Sequence, residues 1–161
     1  MASQPSSCLD ERGGPSIRGE WAQAVGRSRG GRTSKVHCVA DHRGRPVAFA
    51  LTPGNVADIT MAVPLLEAAS PPKRLIADKA YDAERLRGWL KARRVKAVIP
   101  STAVRTTPHP LDHKAYRRRN LIERPFCRLK NWRRVATRYD RLARNYLATL
   151  ALVAATAEWT N

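Results

Sequence analysis

The chain has 161 residues, with seven Lys and 23 Arg against 13 Asp and Glu, giving a net charge of +17 and a sequence pI near 11.1. That length suggests one domain with a buried core, and 43% apolar content excludes wholesale disorder. The charge calls for a polyanion, whether DNA, RNA or an anionic membrane. No targeting or membrane segment stands out: the longest apolar run, residues 147–157, is far short of the roughly 20 residues a bilayer takes, and residues 1–9 lack the features of a signal peptide.

Residues 1–32, rich in Gly, Ser, Arg and Pro, predict a loop-rich or disordered segment, with order beginning near Thr33. Residues 35–40 (KVHCVA) and 46–52 (PVAFALT) flank a turn containing Gly44 and predict a β-hairpin. A helix is expected from Asp58 to about Ala69, ended by Pro71 and Pro72. A short strand at 74–77, an amphipathic helix at 82–94 carrying Leu86, Trp89 and Leu90, and a strand at 96–99 follow. After a loop with three prolines, residues 113–135 predict a strongly basic helix and residues 142–159 a long apolar one. The order β-β-α-β-α-β-loop-α-α implies an α/β domain over residues 33–161 with a mixed sheet.

In the basic helix, Tyr116, Arg119, Glu123 and Lys130 are spaced three, four and seven apart, which puts them on one helical face. A carboxylate among a phenol, a guanidinium and an amine suits phosphate and metal binding. Spacing alone fits a solvated basic helix equally well. Asp78 ends a short buried strand, where α/β sheets bind ligands, although it also suits a helix cap. For Asp82 the cap is the preferred reading.

These motifs carry a resemblance. The pattern Tyr-x2-Arg-x3-Glu-x6-Lys in YRRRNLIERPFCRLK is similar to the signature of DDE transposases from bacterial insertion sequences of the IS-four and IS-five types. The segment IADKAYD at residues 76–82 resembles the second-Asp motif of that family, and GRSRGGRTSKVH, LTPGNVAD and RRVATRYDRLARNYLA also resemble family sequence. The resemblance covers roughly residues 26–161. It implies a ribonuclease H-like fold with a mixed sheet flanked by helices. It also implies a nuclease in which three carboxylates bind two Mg²⁺ ions, or Mn²⁺ in their place, to cut DNA at the ends of the element and join it to a target. Asp78 and Glu123 match two catalytic, metal-binding carboxylates; Tyr116, Arg119 and Lys130 match accessory residues. Hard Mg²⁺ prefers carboxylate oxygens, and two such ions stabilise attacking and leaving oxygens together.

The first catalytic Asp has no counterpart. The family has three strands before its first helix, and this chain offers two, so the fold is expected to lack its first strand. Asp10 and Asp41 are not assigned, Asp10 being the less poor candidate by order. A truncated remnant and the downstream frame of a frameshifting element, partnered by an upstream-frame product, are the competing explanations. Either implies little or no strand transfer by this chain alone.

Arg117, Arg118, Arg124, Arg128, Arg133, Arg134 and Arg138, with Arg141 and Arg144, form the densest basic stretch and are expected to contact DNA phosphates without reading sequence. Trp132, Tyr139 and Tyr146 are expected to pack between the last two helices rather than stack on bases. Pro125 is expected to kink the basic helix or restart it. Cys8, Cys38 and Cys127 fit neither a disulfide framework nor a zinc site and the four His residues show no metal-ligand spacing with them, so a cytosolic protein with reduced thiols is expected; the resemblance implies a bacterial cytoplasmic, nucleoid-associated protein that can form oligomers on DNA. A non-catalytic DNA-binding remnant and a basic RNA-binding protein remain the alternatives; the latter predicts preference for RNA over duplex DNA.

Overall fold

A computed structural model describes residues 23–29, 31–70 and 72–158 of the chain. Most of the segment expected to be loop, residues 1–22 with Asp10, lies outside them. Pairing nevertheless begins before Thr33. β1 (Gly26–Ser28) turns at once into β2 (Gly31–Ala40) and pairs antiparallel with it, Gly26 opposite Thr33. No apolar alternation marks this turn; it depends on Gly31 at φ +101° and on Gly26, where a Cβ would sit 2.6 Å from Pro53.

The expected hairpin forms between β2 and β3 (Pro46–Pro53), with Val36 opposite Leu51 and Cys38 opposite Phe49. Its turn is held by Asp41, whose carboxylate accepts the Arg43 and Arg45 backbone N–H groups at 2.8 and 2.9 Å. A 3₁₀ turn (Asp58–Met61) leads into α1 (Ala62–Ala68), so the expected helix splits into two pieces. β4 (Arg74–Ile76) and β5 (Lys96–Val98) pair in parallel, linked by a 3₁₀ turn (Lys79–Tyr81) and α2 (Glu84–Ala92). α2 closes with Val95 N–H on the Leu90 carbonyl and Arg94 N–H on Lys91, with Arg94 in the left-handed region at φ 56° where glycine is usual.

The strands form two separate sheets, β1-β2-β3 and β4-β5, so the architecture is mixed α/β without the single mixed sheet expected. Beyond Thr33, β2 pairs along one edge only, and the outer edge of β4 has no partner strand among the described residues. The continuous basic helix is also corrected. Residues 113–136 form α3 (His113–Tyr116), a 3₁₀ turn (Arg117–Arg119), α4 (Asn120–Asn131) and α5 (Arg133–Ala136). Three successive arginines bring no apolar side chain to anchor a regular turn, and Trp132 is extended at φ −83°, ψ 104°. Pro125 lies inside α4 without ending it. α6 (Ala143–Glu158) is the last element among the described residues.

Two cores hold these elements. Ala62 and Leu66 of α1 meet Leu86 and Leu90 of α2, together with Val95 and Ile99. Leu129, Val135, Tyr146, Leu150 and Val153 from α4, α5 and α6 pack against Val36, Phe49 and Leu51 of the first sheet. Each fully buried Leu contributes roughly 1.5–3 kcal/mol by removal from water. Odd-numbered Val39 joins the first core and even-numbered Val36 the second, so both faces of β2 are covered.

Candidate functional site

A cleft of about 1610 Å³ is lined by residues of β2, β4, α1 and α4. Asp78 and Glu123, 45 positions apart in the chain, both line it, as do Arg118, Arg119 and Lys130. Each acidic residue has a local reason for its position. Asp78 follows β4, and its Oδ1 accepts the Ala80 N–H at 2.9 Å, capping the 3₁₀ turn. Glu123 is on the first turn of α4, where its Oε1 accepts a hydrogen bond from Arg119 Nη1 at 2.7 Å across one helical turn. Each thus has one oxygen engaged and the other without a protein partner among the described residues. Glu123 and Lys130 are seven residues apart on one continuous helix and share a face. Tyr116 precedes the 3₁₀ break and is half-buried, outside the cleft lining.

The cleft also gathers groups that spacing did not single out. Lys35 Nζ meets Asp58 Oδ1 at 3.0 Å and the Val56 carbonyl at 2.9 Å. Burial pushes the Tyr81 hydroxyl up to about 12, helped by the charges of Asp58 and Asp78, so it is a neutral hydrogen-bond donor at neutral pH. The faint signal for both was their position beside motif residues, Asp58 ending LTPGNVAD and Tyr81 inside IADKAYD. His37 is buried, with Nε2 2.7 Å from Thr52 Oγ1, and burial lowers its pKa; it is a satisfied core histidine. Burial likewise raises the Cys38 thiol to about 12, which leaves it unreactive.

Asp82 does not cap α2, whose N-cap is Ala83. Its carboxylate, fully enclosed, instead takes the Thr102 N–H at 2.8 Å, Arg87 Nε at 2.7 Å and Arg105 Nε at 3.0 Å. Arg105 also pairs with Glu84, whose carboxylate lies 3.3 Å from His109 Nε2. This cluster fastens the proline-rich loop onto α2.

Arg117, Arg118, Arg124, Arg128, Arg133 and Arg134 are exposed on α3 to α5, Arg134 while paired to Asp140 at 2.6 Å. Arg138 is half-buried, its guanidinium on the Gln23 and Ala24 carbonyls and 5.2 Å from the Tyr146 ring centre. Of the three aromatics expected between the last helices, only Tyr146 packs there; Trp132 and Tyr139 are 51% and 59% exposed. The break after Asn131 turns Trp132 out of the helical stripe.

A divalent cation suits the two carboxylates, since Mg²⁺ is commonly held by one or two carboxylates plus waters and substrate phosphates. Among the described residues, no group of three or more His, Cys, Asp or Glu side chains is placed to hold a metal ion between them. Nor is any helix among them long and apolar enough to cross a membrane.

Over 124 residues, 76% of this chain and 95% of the relative, the sequence is 32% identical to a protein of Brucella ovis named as a transposase for insertion sequence element IS6501. Over 130 residues it is 36% identical to a Burkholderia cepacia protein named as a transposase for element IS402; that match takes in 74% of this chain and 59% of the relative. No solved structure matches the chain. Residues 10–157 match the model of the transposase DDE domain, and the chain belongs to that family.

Proposed function

We propose that this chain acts in DNA transposition, binding the ends of an insertion sequence and supplying Asp78 and Glu123 as ligands of a catalytic Mg²⁺, or of Mn²⁺ in its place. The observation that carries this reading is that two residues 45 positions apart, each with a carboxylate oxygen unengaged, line one cleft edged with cations. A bound metal would polarise a phosphodiester for in-line attack. Arg119 holds one Glu123 oxygen and so orients the other. Arg118 and Lys130 bring positive charge to a DNA phosphate, and the exposed arginines of α3 to α5 hold the duplex. Arg138, committed to backbone carbonyls, contributes least of the seven. The ribonuclease H-like fold belongs to the same proposal, supported by the parallel β4–β5 pair with Asp78 at the end of β4.

Mn²⁺ binding followed by electron paramagnetic resonance, in parallel with DNA binding, tests the reading. Asp78→Ala and Glu123→Ala should each remove the ion at least tenfold while leaving salt-sensitive DNA binding within twofold. Unchanged ion binding in both variants would sink the metal site and favour a non-catalytic DNA-binding protein. Preference for RNA over duplex DNA would favour the RNA-binding alternative. Without a counterpart of the family's first catalytic Asp, the isolated chain should show little or no strand transfer. Robust Mg²⁺-dependent cleavage of terminal-repeat DNA by residues 1–161 would refute that.

A further inference from the structure

Trp132 and Tyr139 stand on either side of α5, and both are more than half exposed. Large aromatic side chains ordinarily bury their area in a core. A core is adjacent, and it takes Leu129, Val135 and Tyr146 while leaving these two rings out. The backbone holds both rings where they are. The Trp132 N–H closes α4 on the Leu129 carbonyl at 3.2 Å, and the Trp132 carbonyl opens α5 by accepting the Val135 and Ala136 N–H groups at 2.8 and 2.9 Å. Before Tyr139, Arg138 is in the left-handed region at φ 47°, its guanidinium fastened to the Gln23 and Ala24 carbonyls. After it, buried Asp140 is tied to Arg134 at 2.6 Å and to the Thr149 hydroxyl at 3.1 Å. Neither the Trp132 indole N–H nor the Tyr139 hydroxyl has a hydrogen-bond partner among the described residues.

The charge around them is one-sided. Asp140 is the one acidic residue of positions 124–157, and it is buried and paired. Arg133 beside Trp132, and Arg141 and Arg144 just beyond Tyr139, are exposed, and no carboxylate in that stretch is exposed with them. Anchored rings among phosphate-binding cations suit unpaired nucleotides. Every base offers a π-face to a ring, and its phosphates suit guanidinium groups. In a continuous duplex those faces are already stacked on one another. We propose that Trp132 and Tyr139 each stack on an unpaired base of DNA, so that the surface from α4 to α6 takes DNA where the duplex is opened in preference to continuous duplex. This preference rests on the DNA-binding reading above and involves neither Asp78, Glu123 nor a metal.

Fluorescence anisotropy of the full chain in EDTA, with labelled DNAs of one length, tests the stacking. The DNAs are a continuous duplex, the same duplex with a short run of mismatched thymines, and a third in which that run is abasic and keeps only its phosphates. The parent should bind the mismatched duplex at least about tenfold tighter than either of the others. Trp132→Ala and Tyr139→Ala should each weaken binding of the mismatched duplex about fivefold or more, and leave continuous-duplex affinity within about twofold. Trp132→Phe and Tyr139→Phe, which keep a ring, should retain the parent's preference. Abasic DNA bound as tightly as mismatched DNA would assign the gain to flexible phosphates and overturn the stacking. Equal losses on all three DNAs, or no rescue by phenylalanine, would overturn it too, the rings then being structural. Salt-sensitive duplex binding with no gain from the mismatch overturns the stacking alone. No salt-sensitive binding of any DNA overturns it together with the DNA-binding reading. Tighter binding of a single-stranded RNA than of its DNA counterpart would make RNA the occupant and overturn it as well.

Discussion

Replacing Asp82 with asparagine tests whether the enclosed ion cluster holds the region between α2 and the proline-rich loop. The substitution keeps the shape and one carbonyl oxygen, which still accepts the Thr102 N–H. It puts an amide where the carboxylate now faces Arg87 and Arg105, at 2.7 and 3.0 Å. Removing one member of an enclosed ion pair typically costs about 3–5 kcal/mol, because the partner charge is left uncompensated. Here Arg87 keeps the Ile99 carbonyl at 2.8 Å and Arg105 keeps Glu84, so the loss should be smaller, about 2–3 kcal/mol at pH 7. In a chain of this size that lowers Tm by roughly 5–10 °C. Acid should erase the difference. Burial alone would raise the Asp82 pKa, but the Thr102 N–H and the Arg105 and Arg87 guanidiniums outweigh it and hold the carboxyl well below the ordinary carboxylate range. A depressed folded-state pKa contributes stability that is complete above the unfolded value near 3.9 and drains away as pH falls through the folded one. Urea unfolding at pH 7, 5, 4 and 3 should therefore give an unchanged gap between parent and variant at pH 7 and 5, and a shrinking one at pH 4 and 3. A gap under 1 kcal/mol at neutral pH, or one that does not narrow by pH 3, would refute the reasoning.

Gly44→Ala should lose about 1–2 kcal/mol in urea unfolding from its φ of +87° alone, and more because the new Cβ would sit 2.7 Å from the Leu121 carbonyl oxygen. Arg94→Gly should do the reverse, raising stability by roughly 0.5–1 kcal/mol, because Arg94 closes α2 in the left-handed region where glycine is unstrained. Duplex DNA affinity, measured by anisotropy from 50 to 200 mM salt, should fall steeply; the Arg124→Ala/Arg133→Ala double variant should reduce the log–log slope by about 1.8 whatever the DNA sequence.

Much of this molecule was legible because its signals are local. The β2–β3 hairpin follows from two apolar runs around Gly44, and α2 from the spacing of Leu86 and Leu90. Asp78 stood out by its place at a strand end, and Glu123 by helical spacing to Arg119 and Lys130. What stayed hidden depends on partners far along the chain. β1 carries no apolar pattern because backbone pairing and close contact with Pro53 hold it. Asp82 resembles a cap until Arg105, 23 residues later, folds back onto it. Arg94 ends a helix without the glycine that announces such an end. The separation of the sheets is invisible to periodicity, which reports each strand's faces and not its edges.

The tie between Arg138 and residues 23 and 24 has a consequence for biosynthesis. Arg138 is 115 residues downstream of the Gln23 carbonyl it grips, and the Ala143 N–H that meets the Gln23 side chain at 3.2 Å is 120 residues downstream. At elongation rates of about 5–20 residues per second that interval is on the order of ten seconds. During it Gln23 and Ala24 lack the groups that fasten them. β1 is thus made long before the groups that fasten the residues before it, and a message broken ahead of the Arg138 codon leaves it held by its pairing with β2 and its contact with Pro53 alone.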